Sequence, residues 1–255
     1  MPRLENKVAI ITGAGAGIGE ATALRFAEEG ARLVLADYNG EAAERVRKRL
    51  AASGSKAIAI ASDISKEDDA RAISERAVSE FGAIDILVNN AADFTTFSVE
   101  DATQADWHRV LNVNVIGTAT VSKYAIPHIR KQGKGSIVNL ASMSGIIAQP
   151  NFVTYNSSKG AILTMTRCMA LDLAKDNIRV NSVCPGCVYT TATEREWIRM
   201  GLTKEEWTAQ MAPAHMLNRV GEAREVANAI LFLASDEASF ITAAHLMVDG
   251  GYVWK

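Results

Sequence analysis

The chain has little of what several structural and functional classes depend on. Three cysteines among 255 residues make no disulfide framework, and the five prolines do not gather into a linker. The four histidines, His108, His128, His215 and His245, are scattered without the spacing of a metal-binding pair, so no metal site is expected. Neither sign of charge dominates: 27 Lys and Arg face 29 Asp and Glu, a net charge of -2. That balance supplies no basic field for nucleic acid or an anionic membrane. No apolar run approaches the roughly 18 residues a membrane span requires. The opening residues, MPRLENK, put charges where a signal peptide carries its apolar core. The expectation is a cytoplasmic protein with no nucleic-acid or membrane partner.

A hydrophobic share of 48% without a charge block or low-complexity seam favours one domain over residues 1–255. Short β-rich runs, at 8–11, 33–36, 57–60, 84–88, 136–140 and 178–183, alternate with longer segments of helical periodicity such as 19–29, 41–52 and 68–81. A last strand is expected near His245 to Val248. Strands apolar almost throughout suit a parallel sheet covered on both faces. With right-handed crossovers this predicts a doubly wound α/β fold of Rossmann type, a three-layer α/β/α sandwich. Residues 190–217 break the rhythm: Trp197, Met200, Trp207, Met211 and Met216 stand among charges, with no strand following. This stretch reads as a small helical lid, or alternatively as extra core packing, and Thr203 with Glu206 marks a helix start inside it.

The first strand runs into Thr12-Gly13-Ala14-Gly15-Ala16-Gly17-Ile18-Gly19 and then into a helix. Backbone without Cβ atoms approaches a pyrophosphate closely, and the helix start offers free N–H groups. Gly13, Gly15, Gly17, Ile18 and Gly19 are therefore candidate dinucleotide contacts, and the missing Gly-Lys-Ser/Thr disfavours phosphoryl transfer. Asp37 ends the second strand, about 20 residues on, where a carboxylate accepts from ribose hydroxyls and repels a 2′-phosphate. With no Lys or Arg at Ala14, Ala16, Tyr38 or Asn39, NAD is expected over NADP. Tyr155 and Lys159 stand four apart on one predicted helix face, where an ammonium favours phenolate. Such a pair is common on solvated helices and by itself proves little. Cys184-Pro185-Gly186-Cys187 has redox spacing but follows a strand and contains turn formers, which disfavours thiol chemistry.

Five motifs in order, namely the TGxxxGxG turn, Asp63, Asn89-Asn90-Ala91, Ser142 thirteen residues before Tyr155, and Pro185-Gly186, resemble the short-chain dehydrogenase/reductase family from about Leu4 to the end. The resemblance implies that Ser142 orients the substrate oxygen, Tyr155 exchanges the proton, Lys159 holds the nicotinamide ribose and tunes Tyr155, and Asn114 supports a relay water. It also implies Asp63 and Ile64 at adenine, Asn90 near the adenosine-side ribose, and Val188 with Thr190 at the carboxamide, beside Pro185 and Gly186. The partner expected is a small-molecule alcohol or ketone, either a polyol, a sugar or sugar-acid derivative or a cyclic alcohol, in a homotetramer with residues 252–254 at a subunit contact. Two positions depart from the family pattern, Ala92 and Ala243, each where glycine is usual. Rival expectations are a 3-oxoacyl-carrier reductase and a non-catalytic NAD sensor. Candidate pocket walls lie at 93–97, 143–152 and in the lid, with Gln149, Asn151, Arg195 and Arg199 as polar contributors.

Overall fold

A computed structural model describes residues 2–255. Seven parallel strands stand in the order β3-β2-β1-β4-β5-β6-β9. They are β1 (Val8–Thr12), β2 (Arg32–Asp37), β3 (Ala57–Ala61), β4 (Ile86–Asn89), β5 (Gly135–Leu140), β6 (Ile178–Pro185) and β9 (His245–Val248). One face carries α1 (Gly17–Glu28), α2 (Gly40–Ala52) and α9 (Ala223–Ala234). The other carries α3 (Glu67–Phe81), α5 (Thr118–Arg130) and α6 (Val153–Leu173), with α4 (Gln104–Leu111) leading into α5. This is the expected doubly wound sandwich, with residues on alternate sides of each strand entering one core or the other.

Several strands run past their apolar stretches, because hydropathy marks the dry part of a strand while the hydrogen-bond ladder continues. The extra residues include Thr12, Asp37 and Asn89, which places polar groups along the sheet's C-terminal edge. The fourth strand starts later than its apolar run. Ile84 and Asp85 belong to the approach, where the Asp85 carboxylate accepts from the Val8 N–H at 2.8 Å and from Lys7 Nζ at 3.0 Å. Strand order reverses between β1 and β4, the place where open α/β sheets bind ligands.

Residues 190–217 form two short helices, α7 (Thr191–Arg199) and α8 (Lys204–Met211). The expectation of no following strand is corrected: β7 (Val188–Tyr189) and β8 (Gly221–Glu222) pair in parallel and close the base of the excursion. Two residues per strand are too few for a hydropathy period to register. Among the described residues no helix is long and apolar enough to cross a membrane.

Candidate active site

The glycine turn is held from two sides. Thr12 Oγ1 accepts from the N–H groups of Asn90 and Ala91 at 3.0 and 3.1 Å, and Asn90 Nδ2 donates to the carbonyls of Thr12 and Gly13 at 2.9 and 3.0 Å. Asn90 thus commits both amide hydrogens to the turn itself. Gly17 takes a left-handed φ of 56°, and a Cβ on Gly19 would stand 2.0 Å from the Gly13 carbonyl oxygen. No side chain fits there, so the backbone approaches whatever occupies the crevice unshielded. Asp37 lies directly behind: its Oδ2 accepts from the Gly15 N–H at 2.8 Å and its Oδ1 from the Asn39 N–H at 2.9 Å.

Asp63 and Ile64 follow β3. A bond from the Ser65 hydroxyl, at 2.7 Å, holds the Asp63 carboxyl below its usual range. Ile64 is buried against Gly117, on which a Cβ would sit 2.9 Å from Ile64 Cγ1.

At the sheet's C-terminal edge β5 delivers Ser142, and the first turns of α6 deliver Tyr155 and Lys159. Ser142 Oγ accepts from the Ser144 N–H at 3.1 Å, which leaves its own proton for a further acceptor. Lys159 is buried and donates to the Leu140 carbonyl at 2.7 Å, with Nζ 5.5 Å from the centre of the Tyr155 ring. Burial drives both groups toward neutrality: the phenol is pushed above its ordinary value, partly offset by the Ser142 bond, and the lysine is pulled down to about 8. In the chain alone desolvation sets the direction of both shifts.

Asn114 lies in a π-helical turn, Asn112–Gly117, between α4 and α5. Its Oδ1 accepts from the Asp93 N–H at 2.7 Å, and its Nδ2 donates to the Asp93 carbonyl and Ser158 Oγ at 3.0 and 2.9 Å. Ser158 Oγ in turn donates to the Tyr155 carbonyl at 2.7 Å. The π-turn is therefore bonded through Ser158 to the helix that carries Tyr155, a link invisible in the sequence. A second such link is a buried chain: Asn89 Nδ2 donates to Ser122 Oγ and Asn139 Oδ1, and Asn139 Nδ2 to Thr166 Oγ1, all near 3.0 Å. It joins β4 and β5 to α5 and α6.

Phe94 sets its ring edge-on to Tyr155 at 4.8 Å and to Phe152 at 5.9 Å. The polar candidates for this pocket are engaged elsewhere. Gln149 Oε1 accepts from Ser144 Oγ at 2.6 Å, and Arg199 pairs with Glu196 at 2.7 Å on an exposed face. Asn151 and Arg195 are exposed. Val188 in β7 is buried, and Thr190 caps α7 through reciprocal bonds with Thr193. The expected cap at Thr203 and Glu206 is present. A Cβ on Gly17 would lie 3.3 Å from Thr190 Cβ, so lid and glycine turn meet there. Pro185 ends β6, and a Cβ on Gly186 would stand 2.8 Å from Asp249 Cα.

A family profile described as enoyl-(acyl carrier protein) reductase matches residues 13–253. The chain is 41% identical to meso-2,3-butanediol dehydrogenase of Serratia marcescens, over 98% of this chain and 95% of that one. It belongs to the short-chain dehydrogenase/reductase family. A second relative, 38% identical over 98% of this chain and 99% of its own length, is a 3-oxoacyl-[acyl-carrier-protein] reductase of Thermotoga maritima. Among solved structures, 7α-hydroxysteroid dehydrogenase complexed with NADH and 7-oxo glycochenodeoxycholic acid superposes with a TM-score of 0.89 at 38% identity, covering 98% of this chain and 95% of that chain.

The two alanines expected to depart from the pattern of the short-chain dehydrogenases/reductases differ physically. Ala92 is exposed and lies outside the left-handed region, whereas Ala243 takes a φ of 61°. An alanine there costs about 1 kcal/mol over glycine. The strain is held by the bonds Ala243 N–H to the Val180 carbonyl, 2.8 Å, and Ala244 N–H to Asn181 Oδ1, 3.0 Å. The departure at Ala243 thus bears on backbone energy rather than pocket shape. Cys184 and Cys187 are free thiols pushed up to about 11 by burial, the reverse of what an attacking thiolate needs.

Proposed function

We propose that this protein is a nicotinamide-dependent dehydrogenase or ketoreductase acting on secondary alcohols and their ketones, with NAD preferred. The observation that carries this reading is the placing of Ser142, Tyr155 and Lys159 at the same end of the parallel sheet as the glycine turn, with Lys159 Nζ 5.5 Å from the centre of the Tyr155 ring. The residues suit the cofactor: the cradle has no room for a Cβ at Gly13, Gly15 or Gly19, and the Asp37 carboxylate stands beside Gly15 to accept from ribose hydroxyls and repel a 2′-phosphate. Bound nicotinamide accepts or supplies the hydride.

The rest is the work of side chains. Ser142 turns its proton toward the substrate oxygen, and Tyr155 Oη takes the hydroxyl proton as the carbinol C–H bond breaks and the C=O bond forms. In reduction the same oxygen returns the proton. Lys159, held by the Leu140 carbonyl, donates to the ribose and favours phenolate when charged. With both Nδ2 hydrogens of Asn114 engaged, a relay water is held through Oδ1 or the backbone. The aromatic wall of Phe94 and Phe152 favours an alcohol with an apolar body, such as a compact diol or a cyclic alcohol, over a sugar acid. The choice of substrate class is supported by the similarity to a diol dehydrogenase and a hydroxysteroid dehydrogenase.

Tyr155→Phe is expected to lower turnover by about a thousandfold or more while NADH binding stays within about twofold. Following nicotinamide absorbance with diols, cyclic alcohols and hydroxysteroids measures the first, and fluorescence titration the second. Near-wild-type turnover overturns the assignment. The similarity to an oxoacyl-carrier reductase supports a second reading, in which a carrier-linked ketone with NADPH outperforms every free alcohol in the same assay.

A further inference from the structure

Arg45 belongs to none of the motifs above. It stands in α2, where Ala42 packs so closely on the glycine turn that a Cβ on Gly15 would lie 2.8 Å from Ala42 Cβ. Three residues on, Arg45 falls on the same helix face. Its Nη2 donates to the Gly15 carbonyl at 2.7 Å, while the Gly15 N–H donates to Asp37. One glycine therefore carries an acid on its amide and a base on its carbonyl.

The charges on this rim are unequal in exposure. Asp37 is buried and accepts from two backbone N–H groups, whereas the side chains of Arg45 and Arg49 are 62% and 64% exposed. Both arginines face a single carboxylate, Glu20, at 3.5 and 3.3 Å. Both bonds of Arg45 use Nη2, which leaves the N–H donors on Nε and Nη1 for an incoming group. The Glu20 contact is long, 3.5 Å, and exposed, so a phosphate monoester can replace it and take Nη2 together with Nε or Nη1 as a fork, which a lysine does not offer.

We infer that Arg45 is a second determinant of cofactor choice: it pairs with the 2′-phosphate of NADPH and gives the chain measurable affinity for that cofactor despite Asp37. This rests on the proposed reading that the turn and Asp37 hold the adenosine half of the cofactor. Asp37 then sets the preference for NADH, and Arg45 limits its size.

The test is a fluorescence titration of the whole protein with NADH and with NADPH. Arg45→Ala is expected to weaken NADPH about fivefold to tenfold and NADH by less than about twofold, Arg45→Glu to widen the gap, and Arg45→Lys to recover only part of it. At about 0.5 M salt the difference between wild type and Arg45→Ala should shrink, since the pair is exposed. Equal weakening of both cofactors would make Arg45 a brace for the Gly15 carbonyl and overturn the inference. So would an unchanged ratio, or NADPH binding too weak to detect in the wild type. Failure of the wild type to bind NADH would instead overturn the nicotinamide reading itself.

Discussion

The glycine turn and the lid meet where Gly17 lies under Thr190, but each is built differently. At the turn the fit is tight, with a hypothetical Cβ on Gly19 only 2.0 Å from the Gly13 carbonyl oxygen and one on Gly13 2.8 Å from Ala91 Cα. The lid carries a small core of its own. Trp197 and Trp207 lie 5.3 Å apart, Tyr189 is 6.5 and 6.1 Å from them, and the Tyr189 hydroxyl bonds Thr208 at 2.7 Å. Trp207 is buried, yet Ile198 and Met200 beside it are exposed. A wall tied into the sheet has no freedom to vary, while a lid that folds around its own aromatics can change its inner surface without disturbing the sheet. On the proposed reading, cofactor binding belongs to the first and substrate choice to the second.

This contrast is breakable. Gly19→Ala should do the most damage, because the clash is with main chain that cannot move aside. A cost of about 3 kcal/mol in unfolding free energy and loss of NADH binding are expected, measured by urea denaturation and fluorescence titration. Retained NADH affinity would show the turn to be more yielding than its geometry implies. Trp207→Ala comes next and should act locally: amide exchange across α7 and α8 accelerates about a hundredfold as the lid loses its core, while β1 and α1 keep their protection. The substrate KM rises and NADH affinity holds. A global loss of stability instead would join the lid to the main core.

Lys159 gives a subtler reading of the sheet side. With its pKa drawn down to about 8 from an ordinary 10.5, the folded protein has released a proton between these values that the unfolded chain still holds. Its contribution to stability therefore rises with pH across that window and is most unfavourable below it. The unfolding free energy of wild type minus Lys159→Met is expected to climb by about 1 kcal/mol per pH unit there. A flat difference would mean that the ammonium is hydrated. Smallest of all, Ala243→Gly should stabilise the fold by about 1 kcal/mol, read as an increase in denaturation midpoint with no change in kinetics.

Much of the frame was legible in the chain. The apolar runs at Val8, Leu33, Ile137 and Val180 specify buried parallel strands, because only a sheet covered on both faces needs residues apolar in both directions. The Gly13 to Gly19 turn, Asp37, and the Tyr155 and Lys159 pair are local patterns whose spacing along the chain equals their spacing on an element. Ser158 was not legible, since its importance lies in a bond to Asn114, 44 residues away. Nor was the π-turn at Asn114, where no single residue type marks the wider helix. Gln149 and Arg199 read as polar pocket residues until the structure placed their partners, Ser144 and Glu196, within reach.

The sequence by itself determined the layers, the seven strands of the main sheet, the glycine turn and the candidates for the reacting side chains, because hydropathy period, glycine placement and helix spacing are all short-range properties of a chain. Only the tertiary structure decided that Tyr155 and Lys159 are both driven toward neutrality, that Ala243 is strained, and that Arg45 stands over Gly15. Desolvation, backbone strain and charge proximity depend on what distant segments bring to a place, and the linear order of residues does not encode that distance locally.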